Sequence, residues 1–246
     1  MPILASEMSP KTHIEVPSCD LCKGRERNHL FCNLSKTELD KFSEDKGDNF
    51  YKKGQVIFYE GNRGHGLFCI FKGKVKVHKL GEEAKDQIVR FAKEGDVIGY
   101  RSLLGDEPYN ATATAIEDCV ICYVPKSKFL EVLEKNNDLT FRTIQMLTSD
   151  LKESEKKIIN ITQKPVIERI SESLLILKEK FGVKEDGVTL DVVLTRREIG
   201  DLAGVTTETT IRTLSELNKK GVINLNGRRI ELTDSAQLLH LANLSE

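Results

Sequence analysis

The chain has 246 residues, 39% of them hydrophobic, enough to bury the core of one large domain or two modest ones. Its 37 basic and 38 acidic side chains nearly cancel, which excludes a highly charged disordered chain and a uniform positive coat but leaves room for a local basic patch. No stretch approaches the ~18 uninterrupted apolar residues of a membrane span, and the apolar start from Pro2 to Ala5 is too short for a secretory signal. Six cysteines without such a signal point to a reduced cytoplasm, where clustered thiols serve metal or redox chemistry more often than structural disulfides.

Residues 1–46 form a polar lead that holds Cys19, Cys22 and Cys32. It also holds Ser35-Lys36-Thr37-Glu38, a capping box that predicts a short helix carrying Leu39 and Phe42. Over residues 47–125 the period becomes that of strands. Gln55–Tyr59, Leu67–Phe71, Val75–His78, Gln87–Phe91, Ala111–Ala115 and Val120–Val124 are β-forming runs punctuated by glycines, the spacing of a small antiparallel barrel, roll or sandwich.

Residues 126–162 turn helical. Ile144, Leu147, Leu151, Ser154, Ile158 and Ile161 recur at alternating spacings of three and four, which predicts the narrow seam of a self-associating helix and hence a homodimer. A long surface helix with an ordinary buried face is the alternative, and Ser154 is the position that suits the seam least. Pro165 then pushes the residue before it out of helical geometry.

Residues 163–246 read as a small domain. Ile167, Ile170, Leu174, Leu177 and Phe181 mark an amphipathic helix ending at Gly182. Thr195 is placed to cap a second helix, Gly204-Val205 makes a turn, and Thr206 is placed to cap a third that carries Leu214 and Leu217 inward. Val222 to Leu232 alternates on both sides of Asn226-Gly227, a strong hairpin signal. Helix, helix-turn-helix and hairpin in that order predict a winged helix-turn-helix. The whole is an α+β chain: an N-terminal antiparallel β-roll, a long dimerisation helix and a C-terminal winged helix-turn-helix.

Such a domain implies double-stranded DNA as partner. A helix whose N-terminus carries short polar side chains can enter the major groove with its positive dipole end towards phosphates. Glu208 and Arg212, four residues apart, share a face; glutamate accepts from the cytosine amino group and arginine holds guanine in two hydrogen bonds. The candidate DNA contacts are Arg196, Thr206, Thr207, Glu208, Thr209, Ile211, Arg212 and Arg228, with further basic residues in the flanks. The alternative for Glu208 and Arg212 is a surface ion pair within one helix.

The order of roll, long helix and winged helix-turn-helix, with Leu194-Thr195-Arg196-Arg197-Glu198-Ile199-Gly200 and Gly204-Val205-Thr206-Thr207-Glu208-Thr209 followed by Arg212, resembles the CRP/FNR family of bacterial transcription regulators. The resemblance spans about Cys19 to Leu232. It implies that Glu208 and Arg212 are the base-reading pair and that a dimer reads an inverted repeat. Thr207 stands where CRP-type members carry an arginine, which implies an FNR-like half-site with a TTG core, and Ile211 departs from the serine usual in FNR. RNA polymerase is a partner if the protein activates.

The family's roll binds cyclic nucleotides, but the matching stretch here, Val97 to Ala113, has Tyr100 in place of the ribose-binding glutamate and Tyr109-Asn110 in place of the phosphate-binding Arg-Ser pair. Cyclic AMP is therefore not expected, with Arg101 the one nearby substitute. The cysteines suggest a different effector: three thiols of a loop, Cys19, Cys22 and Cys32, with Cys122 from the last strand, are a set that can close around an iron-sulfur cluster. Cys122 falls where FNR-like oxygen sensors carry their central cysteine, which implies a response to oxygen or nitric oxide. Their third cysteine follows the pair sooner than Cys32 does, and His29 lies nearer that position, so a histidine ligand, a zinc site or no cluster also stand. Other readings are a regulator answering another small ligand, a constitutive DNA binder, and a cupin-like metal-dependent enzyme. The scattered histidines and the winged C-terminal third speak against an enzyme.

Overall fold

The computed structural model describes residues 16–22, 30–81 and 86–244. A single 3-10 turn, Cys19–Leu21, precedes helix α1 (Lys36–Glu44). The capping box forms: Glu38 accepts from the Ser35 amide at 2.8 Å while Ser35 Oγ accepts from the Glu38 amide at 3.4 Å, and the helix buries Leu39 and Phe42.

The roll contains strands β1 (Gly47–Tyr51), β2 (Val56–Phe58), β3 (Gly66–Lys72), β4 (Lys74–Leu80), β5 (Asp86–Lys93), β6 (Val97–Ile98), β7 (Thr112–Ala115) and β8 (Cys119–Pro125), with a short helix α2 (Tyr100–Gly105) between β6 and β7. They pair antiparallel in two four-stranded sheets, ordered β1-β8-β3-β6 and β2-β7-β4-β5. β4 shows the logic: Val75 and Val77 are buried while Lys74, Lys76 and His78 face outward, the period of two that one covered face demands. The six runs expected from sequence all fall on strands. β1, β6 and α2 were not anticipated: β1 is an edge strand whose three central residues are exposed, so its pairing with β8, not a hydrophobic pattern, makes it a strand.

The helical zone expected over residues 126–162 is two helices, α3 (Lys126–Lys135) and α4 (Asn137–Gln163). Asn136 breaks them, because its side chain caps α4 by accepting from the Leu139 amide at 2.8 Å. At 27 residues α4 is about 40 Å long.

The C-terminal part contains α5 (Val166–Phe181), α6 (Arg196–Ala203), α7 (Thr207–Lys219), the hairpin β9 (Asn224–Asn226) with β10 (Arg229–Glu231), and α8 (Ser235–Leu241), which the sequence pattern did not reveal. Ile170, Leu174, Leu202, Leu214 and Leu217 meet in one core, and Ile88, Phe91 and Ile116 of the roll belong to that same cluster. The rings of Phe91 and Phe181 meet edge to face at 5.4 Å. Around this apolar contact lie the ion pairs Lys76–Glu198 at 2.9 Å and Lys74–Asp191 at 3.1 Å, so the first helix of the helix-turn-helix is seated on β4 and β5.

Candidate nucleic-acid interface and effector region

Local signals build the helix-turn-helix. Thr195 caps α6 and forms a reciprocal box with Glu198, whose carboxylate accepts from the Thr195 amide at 2.9 Å. Gly204 ends α6 with φ of +67°, the left-handed conformation that favours glycine. Thr206 then caps α7 by accepting from the Thr209 amide at 3.3 Å. At Gly200 the two helices approach so closely that a Cβ would stand 2.7 Å from Thr210 Oγ1 and 2.8 Å from the Val205 carbonyl oxygen, so any larger residue would force them apart.

This geometry divides the expected DNA contacts. Thr207, Glu208, Ile211 and Arg212 are exposed, and Glu208, Ile211, Arg212, Ser215 and Lys219 line one continuous outward surface along α7. The hydroxyls of Thr206 and Thr209 bond to each other at 2.9 Å as part of the cap. Arg196 donates to the Gly227 carbonyl at 2.9 Å, tying α6 to the hairpin tip, while Arg228 on that tip is exposed. Glu216, not Glu208, makes the four-apart ion pair of α7, with Lys220 at 2.7 Å. In the hairpin Arg229 pairs with Asn226, so the two-residue loop is Gly227-Arg228, one position later than the Asn-Gly signal suggested. Gly227 takes a positive φ of 60° there, which suits the first loop position of a type II′ turn.

On α4, Phe141, Ile144, Leu151 and Ile158 stand well exposed, at 60%, 54%, 61% and 64%. Ser154 is exposed and bonds back to the Asp150 carbonyl at 2.8 Å, and Ile161 is exposed at the end nearest Gly204. Leu147 differs from the other seam positions: it packs against the cluster formed by α1, α2 and α3 of its own chain.

The thiols are arranged differently from the expected set. Cys69 in β3 lies directly opposite Cys122 in β8, and Cys19 packs with Cys69 against the same apolar cluster. Burial raises the Cys122 thiol to about 12, with nearby Asp48 and Cys22 adding to the rise and Lys46 opposing it. Burial also pushes up Cys69, which is close enough to feel the charges of Cys122, Cys19 and Cys22. Cys19 is raised by burial too, against a hydrogen bond from Ser43. Cys32 stands instead against α4, where Arg142 donates to its sulfur at 3.1 Å. Among the described residues no three histidine, cysteine, aspartate or glutamate side chains are grouped to hold a metal, so the four expected ligands do not fit a cluster as they stand. His29 lies outside the described residues.

Inside the roll a cavity of about 170 Å³ is bordered by Phe58, Val77, Val89 and Tyr109 and by the cations Lys79, Arg90 and Arg101. Tyr109 stacks on Phe58 at 4.2 Å and donates to the Gly66 carbonyl at 3.0 Å. Tyr100 is fully buried and donates to Asp150 of α4. Arg101 reaches the same carboxylate at 2.8 Å and Arg90 at 3.7 Å, and Arg90 donates to Tyr100 Oη at 2.7 Å. Sequence reasoning singled out Tyr100 and Arg101 but missed Arg90 and Asp150, whose only local signature is a charge on an otherwise ordinary strand or helix.

Residues 49–136 match the family model of the cyclic nucleotide-binding domain, and residues 168–241 match that of the Crp-like helix-turn-helix domain. The chain is similar to the fumarate and nitrate reduction regulatory protein of Vibrio cholerae, 26% identical over 87% of this chain and 86% of that one. It is also similar to the transcriptional activator protein anr of Pseudomonas aeruginosa, 25% identical over 90% of this chain and 92% of that one. Among solved structures it resembles FixK2 from Bradyrhizobium japonicum, with a TM-score of 0.72 and 26% identity over 80% of this chain and 96% of that one. Among the described residues no helix is long and apolar enough to cross a membrane.

Proposed function

The chain belongs to the CRP/FNR family of transcription regulators, and from that premise we propose that it is a cytoplasmic homodimer that reads an inverted repeat with TTG-type half-sites. The observation that carries this reading is the outward surface of α7, where Glu208, Ile211 and Arg212 stand exposed beside a wing carrying Arg228. Arg212 donates two hydrogen bonds to a guanine, Glu208 accepts from a cytosine amino group, and Thr207 and Ile211 contact the bases beside them. Arg228 meets phosphate. Arg196 acts by fixing the wing tip, and Thr206 and Thr209 act by fixing the start of α7, leaving its free amides towards the backbone.

Self-association along Ile144, Leu151, Ile158 and Ile161, with Ser154 at the solvated edge and Leu147 buttressing from behind, brings two α7 helices to successive major grooves about 34 Å apart. RNA polymerase is the further partner where the bound dimer activates. The test is fluorescence anisotropy of the full chain with a duplex carrying a TTG inverted repeat and with a shuffled duplex, at fixed salt. A preference of about a thousandfold or more for the repeat is expected, and equal binding rejects the reading.

A second reading, a response to oxygen or nitric oxide through Cys19, Cys22, Cys32 and Cys122, draws on the relative named for fumarate and nitrate reduction and on another named the anaerobic regulatory protein of Bacillus subtilis. The gathering of Cys19, Cys22, Cys69 and Cys122 near Lys46 supports a thiol-based device. The arrangement of the described residues does not by itself make an iron-sulfur site. Anaerobic purification with iron and sulfide analysis decides it: a brown wild type and a colourless Cys122→Ala support the reading, and a colourless, metal-free wild type rejects it.

A further inference from the structure

We infer that the roll cavity takes a compact carboxylate on Arg101 and Arg90, and that Asp150 of α4 is the built-in carboxylate which this ligand displaces. The inference rests on the reading of the chain as a regulator whose roll acts on its DNA-binding half.

The cavity itself sets the class of ligand. At about 170 Å³ it lies below the ~300–1,000 Å³ of sites for drug-sized molecules, so its occupant is small. Among the described residues its border includes three cations and no carboxylate. Lys79 leans outward to Glu60 at 3.7 Å and is half exposed, which leaves the two arginines as the inward cations. Both turn to one partner, Asp150, which also accepts from Tyr100. Among the described residues two guanidinium groups are thus balanced by a single carboxylate that arrives from outside the roll, which leaves one positive charge in excess at this node. A guanidinium and a carboxylate match in a planar, two-bond geometry, so an entering carboxylate is the natural competitor for the one already there.

The structure also supplies a route from the cavity to the DNA-binding half. The register between β4 and β5 shifts where Val77 pairs with Arg90 and His78 with Ile88, which leaves Val89 as an extra residue. A bulge of this kind re-aims side chains, and here the neighbours Val89 and Arg90 both border the cavity. The same strand is held by α4 through Lys157, which donates to the Ile88 carbonyl. Its Ile88 and Phe91 side chains lie in the core shared with the helix-turn-helix, and Gln87 donates to the Asp201 carbonyl of α6. A ligand that draws Arg90 and Arg101 off Asp150 loosens α4 from the roll at the strand on which α6 is seated. Its leverage is limited to its differential affinity for the two arrangements.

Isothermal titration of the full chain without DNA tests this, with succinate as the probe, inorganic phosphate and cyclic AMP as comparison ligands, and chloride at matched ionic strength as blank. Asp150→Asn removes the competitor and is expected to bind succinate about tenfold or more tighter than wild type, while Arg101→Gln in the same background abolishes binding. Succinate binding Asp150→Asn no tighter than wild type overturns the inference, as does tighter binding of phosphate or cyclic AMP. Should Asp150→Asn fail to fold, the arginine side-chain Nε–H resonances of the wild type give the answer: Arg90 and Arg101 are expected to shift on titration with succinate, and their constancy at saturating probe overturns it. Because the assay contains no DNA, its failure leaves the reading of α7 standing, and failure of the anisotropy test leaves the cavity's ligand to be judged separately.

Discussion

The residues proposed to meet DNA lie on one helix and one hairpin of a single small part of the chain: Thr206 caps the helix that carries Glu208 and Arg212 from the adjoining position, and Arg196, at the start of α6, ties the hairpin tip that carries Arg228. The effector region is built the opposite way. Its cavity gathers β2, β4, β5 and α2, and its arginines are held by Asp150, some 50 residues from Arg101 along the chain. The first kind of site owes its helix starts and its turn to local backbone chemistry. The second exists only while distant elements stay packed, which is what a region that reports a ligand by repacking requires.

The largest effect is expected at the α4 seam. Leu151→Glu sets two carboxylates against each other in the proposed dimer while touching nothing in the described monomer core. Light scattering is expected to find a monomer, and anisotropy an affinity for the inverted repeat lower by about a thousandfold, since one half-site is left to bind alone. A dimer of unchanged affinity would place the interface elsewhere. Arg212→Ala should cost about 1–3 kcal/mol of discrimination at one base pair of each half-site while leaving the fold intact. Competition between duplexes altered at single positions checks this, and a loss spread evenly over all sequences would make Arg212 a phosphate contact.

The local character of the C-terminal part is tested by its caps. Thr195→Ala removes the cap of α6 and is expected to lower stability by about 1 kcal/mol in urea melts, without altering which base pairs are read. The smallest effect concerns Asp201, in α6 where it faces the roll. Its carboxyl is raised to about 6, first by burial, with Asp86 and Glu198 adding and Arg197 and Lys76 opposing. The folded value therefore lies above the unfolded one, so the folded chain binds more protons in between. Stability should fall as pH rises from about 4 to about 6 and stay at the lower level above that. Asp201→Asn is expected to flatten this slope and to stabilise the neutral-pH protein by on the order of 1 kcal/mol or less, the charge being partly solvated. Urea melts across that range would show it, and an unchanged slope would assign the pH dependence to another group.

The same division explains what the sequence disclosed. The Ser35–Glu38 and Thr195–Glu198 boxes, the Gly204 turn and the strand runs were legible because each is a short-range pattern with one physical meaning. Asn136 is a signal of the same kind, an asparagine opening a helix, and it was masked by the helical residues on both sides. The seam on α4 was legible as a period but not as a surface: Leu147 has the spacing of Leu151 yet faces its own core, which only the position of α1 to α3 decides. The meeting of Arg90, Arg101 and Tyr100 at Asp150 and the pairing of Cys69 with Cys122 had no local mark, since a charge on a helix or a cysteine in a strand has its usual explanation on a surface or in a core.

A dimer that presents two α7 helices to DNA requires a symmetric site. The most direct measurement is selection of bound duplexes from a random library by the full chain, which assumes no half-site in advance. Recovery of an inverted repeat with TTG-type halves centred about one helical turn apart is expected. Recovery of a single unrepeated element, or no enrichment over the starting library, would contradict it.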